Sequence, residues 1–445
     1  MSDILQSIDP SNGELLGSVK THAESEITQM VTAANTAAQS WGFLTIDQRL
    51  QAIEKAYSSA VPAISQLATL LSREMGKDIR RATGEVHGTV YGGPYIAESV
   101  KQAIEPSQIG RTRIEYKPFG VVAVISPWNY PLAMATNLII PALVAGNAVV
   151  WKPSEHTPLI AQKLFESLAP HFPENVLQII HGDGVQGRIL VESEVNMVAF
   201  TGSQAVGKDI MQRASASLKR LVMELGGNDP MIVMADADIE AAARFAVASS
   251  FENSGQMCTS TERIYIDQAI AERFEQSVVA IARNYRTGPW DMDGVNIGPI
   301  INDVQHEKIV HHIKNAVDHG AKLLLGSADQ QPPYIQPTVI SNMKPAMLIE
   351  QVETFGPLVC IDRYSDIEKA IQRANNSSYG LGGVVFGSAG AQAVADRLEA
   401  GMVGINQGVG GEGDAPWVGA KQSGFGFHGS ADGHKQFAQI RIVNQ

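Results

Sequence analysis

The chain has 445 residues, 44% hydrophobic and 18% charged, a balance that fits a soluble globular protein of two or three domains and excludes long disordered tracts. A net charge of −12 with dispersed acids makes nucleic acid and anionic membrane surfaces poor partners. Two cysteines exclude a disulfide framework, no apolar run is long enough to span a membrane, and the first residues lack the basic and apolar regions of a signal peptide, so a reducing, cytoplasmic setting is expected.

Residues 24–105 carry helical periodicity. Ile27, Met30, Val31, Ala34 and Ala37, then Ile53, Ala56, Leu67, Leu70 and Leu71, recur at three- and four-residue spacing, as one buried face requires. From Phe119 the rhythm changes to short apolar segments at 120–125, 148–151, 176–180 and 197–200, each followed by a turn and a helix-like stretch. Strands apolar on both faces alternating with helices predict an open parallel sheet covered on both sides, a Rossmann-like dinucleotide domain. A second α/β series follows Gly227, with strands at 230–234, 263–266, 322–325 and 357–361. No Pro/Gly/Ser linker separates the two, so a site between them is expected.

Three motifs follow strands of the first series, where open α/β sheets hold ligands. They are Ser126-Pro127-Trp128-Asn129-Tyr130-Pro131, Trp151-Lys152-Pro153-Ser154-Glu155 and Phe200-Thr201-Gly202-Ser203. The last opens a Gly-x4-Gly turn, 202–207, into a helix, where free N–H groups and the helix dipole can meet a phosphate; it lacks the Gly-x-Gly-x-x-Gly form. Lys152 suits a ribose or a phosphate, although a lone lysine is more often a solvated surface residue. A carboxylate at Glu155 suits both hydroxyls of an adenosine ribose and repels a 2′-phosphate, which favours NAD over NADP.

The cysteines differ in setting. Cys360 lies in the apolar run 357–361 and reads as a small buried hydrophobe. Cys258 lies among Ser254, Gly255, Gln256, Thr259 and Ser260, a loop able to leave sulfur reachable and to aim N–H groups at it. Together with Glu224 in Met223-Glu224-Leu225-Gly226-Gly227, it reads as a nucleophile with its base.

These motifs, with Glu353-Thr354-Phe355-Gly356-Pro357 and Lys421-Gln422-Ser423-Gly424, resemble the aldehyde dehydrogenase superfamily in order and spacing, from Asp9-Pro10 to the last strand near 440–443. The resemblance implies two open α/β domains, a Rossmann-like NAD-binding unit at 1–99 and 119–225 and a catalytic unit at 226–433, with a small β bridging and oligomerisation element at 100–118 and 434–445. It also implies NAD-dependent oxidation of an aldehyde by Cys258 through a thiohemiacetal and a thioester. The Asn129 side-chain amide and the Cys258 backbone N–H would hold the oxyanion. Glu224 would activate the hydrolytic water and release a free acid rather than an acyl-coenzyme A. For the cofactor the resemblance implies Lys152 and Glu155 at the adenosine ribose, Trp128, Gly202 and Ser203 near the pyrophosphate, Glu353 at the nicotinamide ribose and Phe355 against the nicotinamide. Asn406 matches a supporting position and reads equally as a turn asparagine. No metal is expected, and the expected assembly is a homodimer or homotetramer.

Tyr130 and Trp417 match positions of the family's substrate tunnel, with Met134, Asn137, Met257 and Thr259 nearby. This uncharged, aromatic entrance puts an aliphatic or aromatic aldehyde first. A cationic aldehyde of the amino or betaine type comes second, on Glu412 and Asp414. Succinate semialdehyde is disfavoured because Asn137 stands where enzymes for that substrate commonly carry arginine. Phe427-His428 departs from the family's usual Arg-Glu. Two rival classes remain. A catalytically silent relative predicts the loss of a chemical residue, yet Cys258, Glu224 and Asn129 are all present; a cofactor-independent thiol esterase predicts a histidine partner, and none of the eleven histidines stands in such a signature.

Overall fold

The computed structural model describes residues 4–444; the outermost ends of the expected N- and C-terminal ranges, 1–3 and 445, lie outside it. The four helices Glu24–Phe43, Ile46–Ser59, Ile64–Met75 and Ile79–Ala103 occupy the stretch with helical periodicity. Asp78 caps the last of them, its carboxylate accepting from the Arg80 and Arg81 amides.

The first sheet has six strands in the order Gly424–Phe425, Arg220–Glu224, Met197–Thr201, Val121–Ile125, Ala148–Lys152 and Leu177–Ile179. All pairs are parallel except Gly424–Phe425, which runs antiparallel to Arg220–Glu224 with Gly424 opposite Glu224. Successive residues of Val121–Ile125 enter different cores. Val122 and Val124 pack with Trp41, Trp151 and Leu138 on one face, and Val121, Ala123 and Ile125 with Ile27, Val31 and Phe200 on the other. Burial on both sides explains the uninterrupted apolar run. The chain leaves Val121–Ile125 toward one edge and returns on its other side at Met197–Thr201, so the order reverses there and opens a crevice.

The second sheet has seven strands in the order Lys322–Leu325, Thr338–Ser341, Leu358–Tyr364, Thr261–Asp267, Asp229–Val233, Gly382–Phe386 and Met402–Ile405. Lys322–Leu325 is an antiparallel edge on an otherwise parallel sheet. Cores on both faces again divide alternate residues, Ile232 to one and Met231 and Val233 to the other. A third sheet pairs Ala438–Asn444 with Thr112–Pro118, and that strand with Ser107–Ile109, all antiparallel. Among the described residues, no helix is long and apolar enough to cross a membrane.

Candidate active site

The loop that carries Cys258 is backbone-strained and held from three sides. After helix Ile239–Phe251, Asn253 and Ser254 take positive φ of 51° and 61°, and Gly255 follows at 73°. Non-glycine residues there cost conformational energy that surrounding contacts must offset. A Cβ on Gly255 would lie 2.0 Å from the Gly356 carbonyl oxygen, so only glycine passes this turn. The Ser254 hydroxyl donates to the Gly298 carbonyl at 3.1 Å, and the Ile301 amide donates to Gln256 Oε1 at 3.0 Å. The result is a half-buried Cys258 on the wall of a cavity of about 400 Å³, whereas Cys360 is buried inside Leu358–Tyr364. Burial pushes the Cys258 thiol well up, and the neighbouring Asp229, Glu353 and Glu224 carboxylates add to the shift, so a base must take its proton before attack.

Asn129 lies in the turn after Val121–Ile125, and its Nδ2 donates to the Gln256 carbonyl at 3.0 Å. A side-chain amide has two N–H groups, so one is left for the cavity that Asn129 lines together with Cys258. Tyr130, Met134, Met257 and Trp417 contribute an apolar, aromatic part of the wall. The Trp417 amide donates to the His428 carbonyl at 3.0 Å, which ties this wall to the Phe427-His428 segment. Asn137, one turn beyond Met134, and the buried Thr259 do not line the cavity.

Glu224 ends its strand buried behind the cavity wall, and among the described residues neither carboxylate oxygen has a hydrogen-bond partner. Burial pushes its pKa well above the ordinary carboxylate value, with the nearby His428 backbone offsetting only part. A carboxylate raised in this way is a stronger base than an exposed one and has unused lone pairs for water. Glu353 is held by the backbone: its Oε1 accepts from the Gly227 amide at 2.9 Å. Burial and the charge of Glu262 push its pKa up, against Lys308 and the Gly227 amide. Glu262 accepts the Thr354 and Phe355 amides at 2.6 and 2.8 Å, fixing Phe355 at a φ of 59°. The Phe355 ring then meets Trp128 edge-to-face at 5.5 Å.

A second cavity of about 540 Å³ opens at the carboxyl ends of the first sheet and shares Trp128, Gly202 and Ser203 with the first. Lys152 and Glu155 line it, their charged groups 3.9 Å apart. Lys152 is 3% exposed, which rules out a solvated surface lysine; its Nζ donates to the Pro153 carbonyl, and burial lowers its pKa. The N-terminus of helix Gln204–Ala214 enters this cavity, capped by Ser203. One buried polar atom here, Thr201 Oγ1, has no partner among the described residues. Two joined cavities, a helix N-terminus, an ammonium, a carboxylate and an orphaned hydroxyl suit a phosphate-linked dinucleotide.

The sequence missed several residues that the fold brings in. Gln305 and Lys308 reach the Cys258 cavity from helix Asp303–Asp318, and Arg188 and Arg213 reach the second cavity from two helices behind its motifs. Helix-face residues have no local motif, and only the i, i+3 polar pair Gln305/Lys308 beside buried His306 and Ile309 hinted at a second covered face. Asn406 bonds both backbone groups of Gly387, at 2.8 and 3.0 Å, as a turn brace at the strand ends. Asp414 pairs with buried His434 at 3.1 Å. Among the described residues, no cluster of three or more His, Cys, Asp or Glu side chains is arranged to hold a metal ion.

The model of the aldehyde dehydrogenase family matches residues 2–443. The chain is 35% identical to a probable NADP(+) succinate-semialdehyde dehydrogenase of Sinorhizobium fredii, across 98% of this chain and 91% of that one. It is 32% identical to a glutarate-semialdehyde dehydrogenase of Pseudomonas putida, across 98% and 93%. The crystal structure of succinate-semialdehyde dehydrogenase from Burkholderia pseudomallei superimposes with a TM-score of 0.94 at 33% identity, covering 99% of this chain and 94% of that one.

Proposed function

The chain belongs to the aldehyde dehydrogenase family, an oxidoreductase fold that acts on aldehydes with NAD or NADP, and on that footing we propose that it oxidises a short aldehyde to the free acid at Cys258. The observation that carries this reading is the placement of Cys258 and Asn129 on one cavity that joins the dinucleotide-sized cavity through Trp128, Gly202 and Ser203. A bound nicotinamide dinucleotide supplies the two-electron acceptor. Lys152, Glu155, Trp128, Gly202, Ser203, Glu353 and Phe355 are the residues we assign to holding it.

Cys258 Sγ bonds to the aldehyde carbon while Glu224 takes the thiol proton, and the carbonyl oxygen becomes an oxyanion. The free N–H of Asn129 and the Cys258 amide stabilise that charge. When that carbon gives up its hydrogen as hydride to the dinucleotide acceptor, the oxyanion collapses and the carbon is left as a thioester on Cys258. After passing the thiol proton to solvent, Glu224 takes a proton from water, the hydroxide adds, and the C–S bond breaks to release the carboxylic acid, the proton on Glu224 returning to the Cys258 thiolate. We prefer NAD, because the Glu155 carboxylate would face a 2′-phosphate; the Sinorhizobium relative's NADP(+) makes the other cofactor the competing reading.

For the substrate we place a semialdehyde with a terminal carboxylate first, ahead of the uncharged aldehyde favoured by the sequence. The Sinorhizobium and Pseudomonas relatives are named for succinate and glutarate semialdehydes, and among the described residues Lys308 is the one lysine or arginine lining the cavity. The sequence argument against this class rested on Asn137, which is not on the cavity wall. The apolar wall of Tyr130, Met134, Met257 and Trp417 keeps an uncharged aldehyde as the second reading. We assign 1–99 and 119–225 to cofactor binding, 226–433 to catalysis, and 100–118 with 434–445 to assembly of a homodimer or homotetramer.

Cofactor reduction with succinate semialdehyde, glutarate semialdehyde, propanal and benzaldehyde, each with NAD and NADP, tests the reading. Activity that survives in Cys258→Ala would sink the mechanism, and turnover confined to the uncharged aldehydes would reverse the substrate order.

A further inference from the structure

Lys77, in the turn between Ile64–Met75 and Ile79–Ala103, has its ammonium fully enclosed. Its Nζ donates to Glu85 Oε2 at 2.6 Å and to the main-chain carbonyl of Asn129 at 2.8 Å, and it sits 3.8 Å from the centre of the Tyr130 ring. The other oxygen of Glu85 accepts the Leu132 and Ala133 amides at 3.0 and 3.3 Å, at the start of helix Pro131–Val144. The ion pair thus grips the 129–133 turn at both ends. Its own backbone is fixed to the cysteine side: a Cβ on Gly298 would lie 1.9 Å from the Gly76 carbonyl oxygen, and the same Gly298 carbonyl accepts from Ser254. Asn253 Nδ2, from the cysteine loop, reaches the Asn129 carbonyl beside Lys77 at 3.3 Å.

We propose that Lys77, held by Glu85, is a positioning residue for the reaction, setting the Asn129 side-chain amide in register with Cys258. Enclosing an ammonium is costly unless it is paired and bonded, and Lys77 spends its donors on Glu85 and on the carbonyl of Asn129, whose side-chain amide faces the cavity beside Cys258. A helix packing role alone would be met by an apolar side chain. The second link points the same way, since Arg81 binds both oxygens of Glu252 at 2.8 and 2.9 Å and Glu252 accepts the Tyr130 hydroxyl at 3.2 Å. This inference rests on Asn129 being the oxyanion donor.

The test is a double-mutant cycle on the full-length enzyme, with Lys77→Met, Asn129→Ala and the pair combined. Removing Lys77 alone strands a buried carboxylate and can unfold the protein, so Lys77→Met/Glu85→Gln is carried in parallel, with cofactor binding by tryptophan fluorescence as the fold control. The expected result is a fall in kcat of about 10- to 100-fold, the scale of a misplaced catalytic group, with aldehyde KM and cofactor affinity near native. The same change in the Asn129→Ala background then lowers kcat by about threefold or less, because the group being positioned is gone. A folded Lys77→Met/Glu85→Gln enzyme with native kcat overturns the proposal, and so does an equal loss in both backgrounds. Asn129→Ala with native kcat overturns the oxyanion reading itself, a different outcome from the first two.

Discussion

The side-chain amide of Asn129 donates to the backbone carbonyl of Gln256, two residues before Cys258, at 3.0 Å. That bond fixes the amide plane, so its second N–H has a set direction rather than a range of rotamers, the preorganisation that stabilises developing charge. Asn129→Ala removes donor and brace together. We expect kcat to fall by about 10²–10³, or about 2.7–4 kcal/mol, with a smaller change in aldehyde KM. Steady-state kinetics checks this, and a KM effect without a kcat effect would make Asn129 a substrate-binding residue instead.

Glu224 is expected to separate the two halves of the reaction. Its unpartnered oxygens and raised pKa mean that the base form grows as pH rises, with the inflection well above the usual carboxylate range. Native turnover therefore climbs with pH through that region. Glu224→Gln keeps size and burial but cannot take a proton, so the steady state falls by about 10²–10⁴ and loses this pH dependence. Rapid-mixing measurement of reduced cofactor decides the step. A retained stoichiometric burst places Glu224 in hydrolysis alone, and a lost burst places it in Cys258 activation as well.

Much of this site was legible because its chemistry sits in contiguous motifs at strand ends. Cys258, Asn129, Tyr130, Glu353 and Phe355 all reach one cavity, and Lys152 and Glu155 the adjoining one. Most strands legible in the sequence were those apolar on both faces, the edge strand Lys322–Leu325 being read from its three leucines. Thr338–Ser341, Gly382–Phe386 and Met402–Ile405 escaped notice because they are short or begin with glycines. Arg220–Glu224 has charged residues at both ends, so its apolar middle was too brief to read as a strand. Asn137 was read onto the tunnel by position, but Met134 and Asn137 are a helical turn apart and only the first reaches the cavity. The Lys77–Glu85 pair lay inside a stretch read only for apolar spacing, where a buried charge pair leaves no periodic trace.

Cofactor choice should turn on Glu155. Its carboxylate lines the second cavity 3.9 Å from the Lys152 ammonium. Glu155→Ser removes the charge that opposes a 2′-phosphate and leaves Lys152 to meet it. We expect the ratio of kcat/KM for NADP over NAD to rise about tenfold or more, the size of one removed charge repulsion in a partly buried site. Initial rates with each cofactor measure it. A native enzyme that already prefers NADP would show that Glu155 turns away from the phosphate, and its substitution would then change little.

Asp229 links the site to stability. It is fully enclosed beside the Cys258 loop, with Oδ1 accepting the Gly382 amide at 3.0 Å and Oδ2 without a partner. Burial raises its pKa from 3.8 to about 8, opposed by the Gly382 amide and Arg263. Between those values the folded state holds a proton that the unfolded state has released, so stability must fall as pH rises across this window. Its contribution is complete below pH 3.8 and is lost by about pH 8. Asp229→Asn imitates the protonated form, keeps the acceptor for Gly382 and cannot ionise. The stability gained by this variant over native enzyme should therefore grow from acid to alkaline pH, by on the order of 5 kcal/mol for a shift of this size. Chemical denaturation at several pH values measures the difference. A gap that stays constant with pH would mean that Asp229 is ionised throughout, with Arg263 supplying enough countercharge to hold it so.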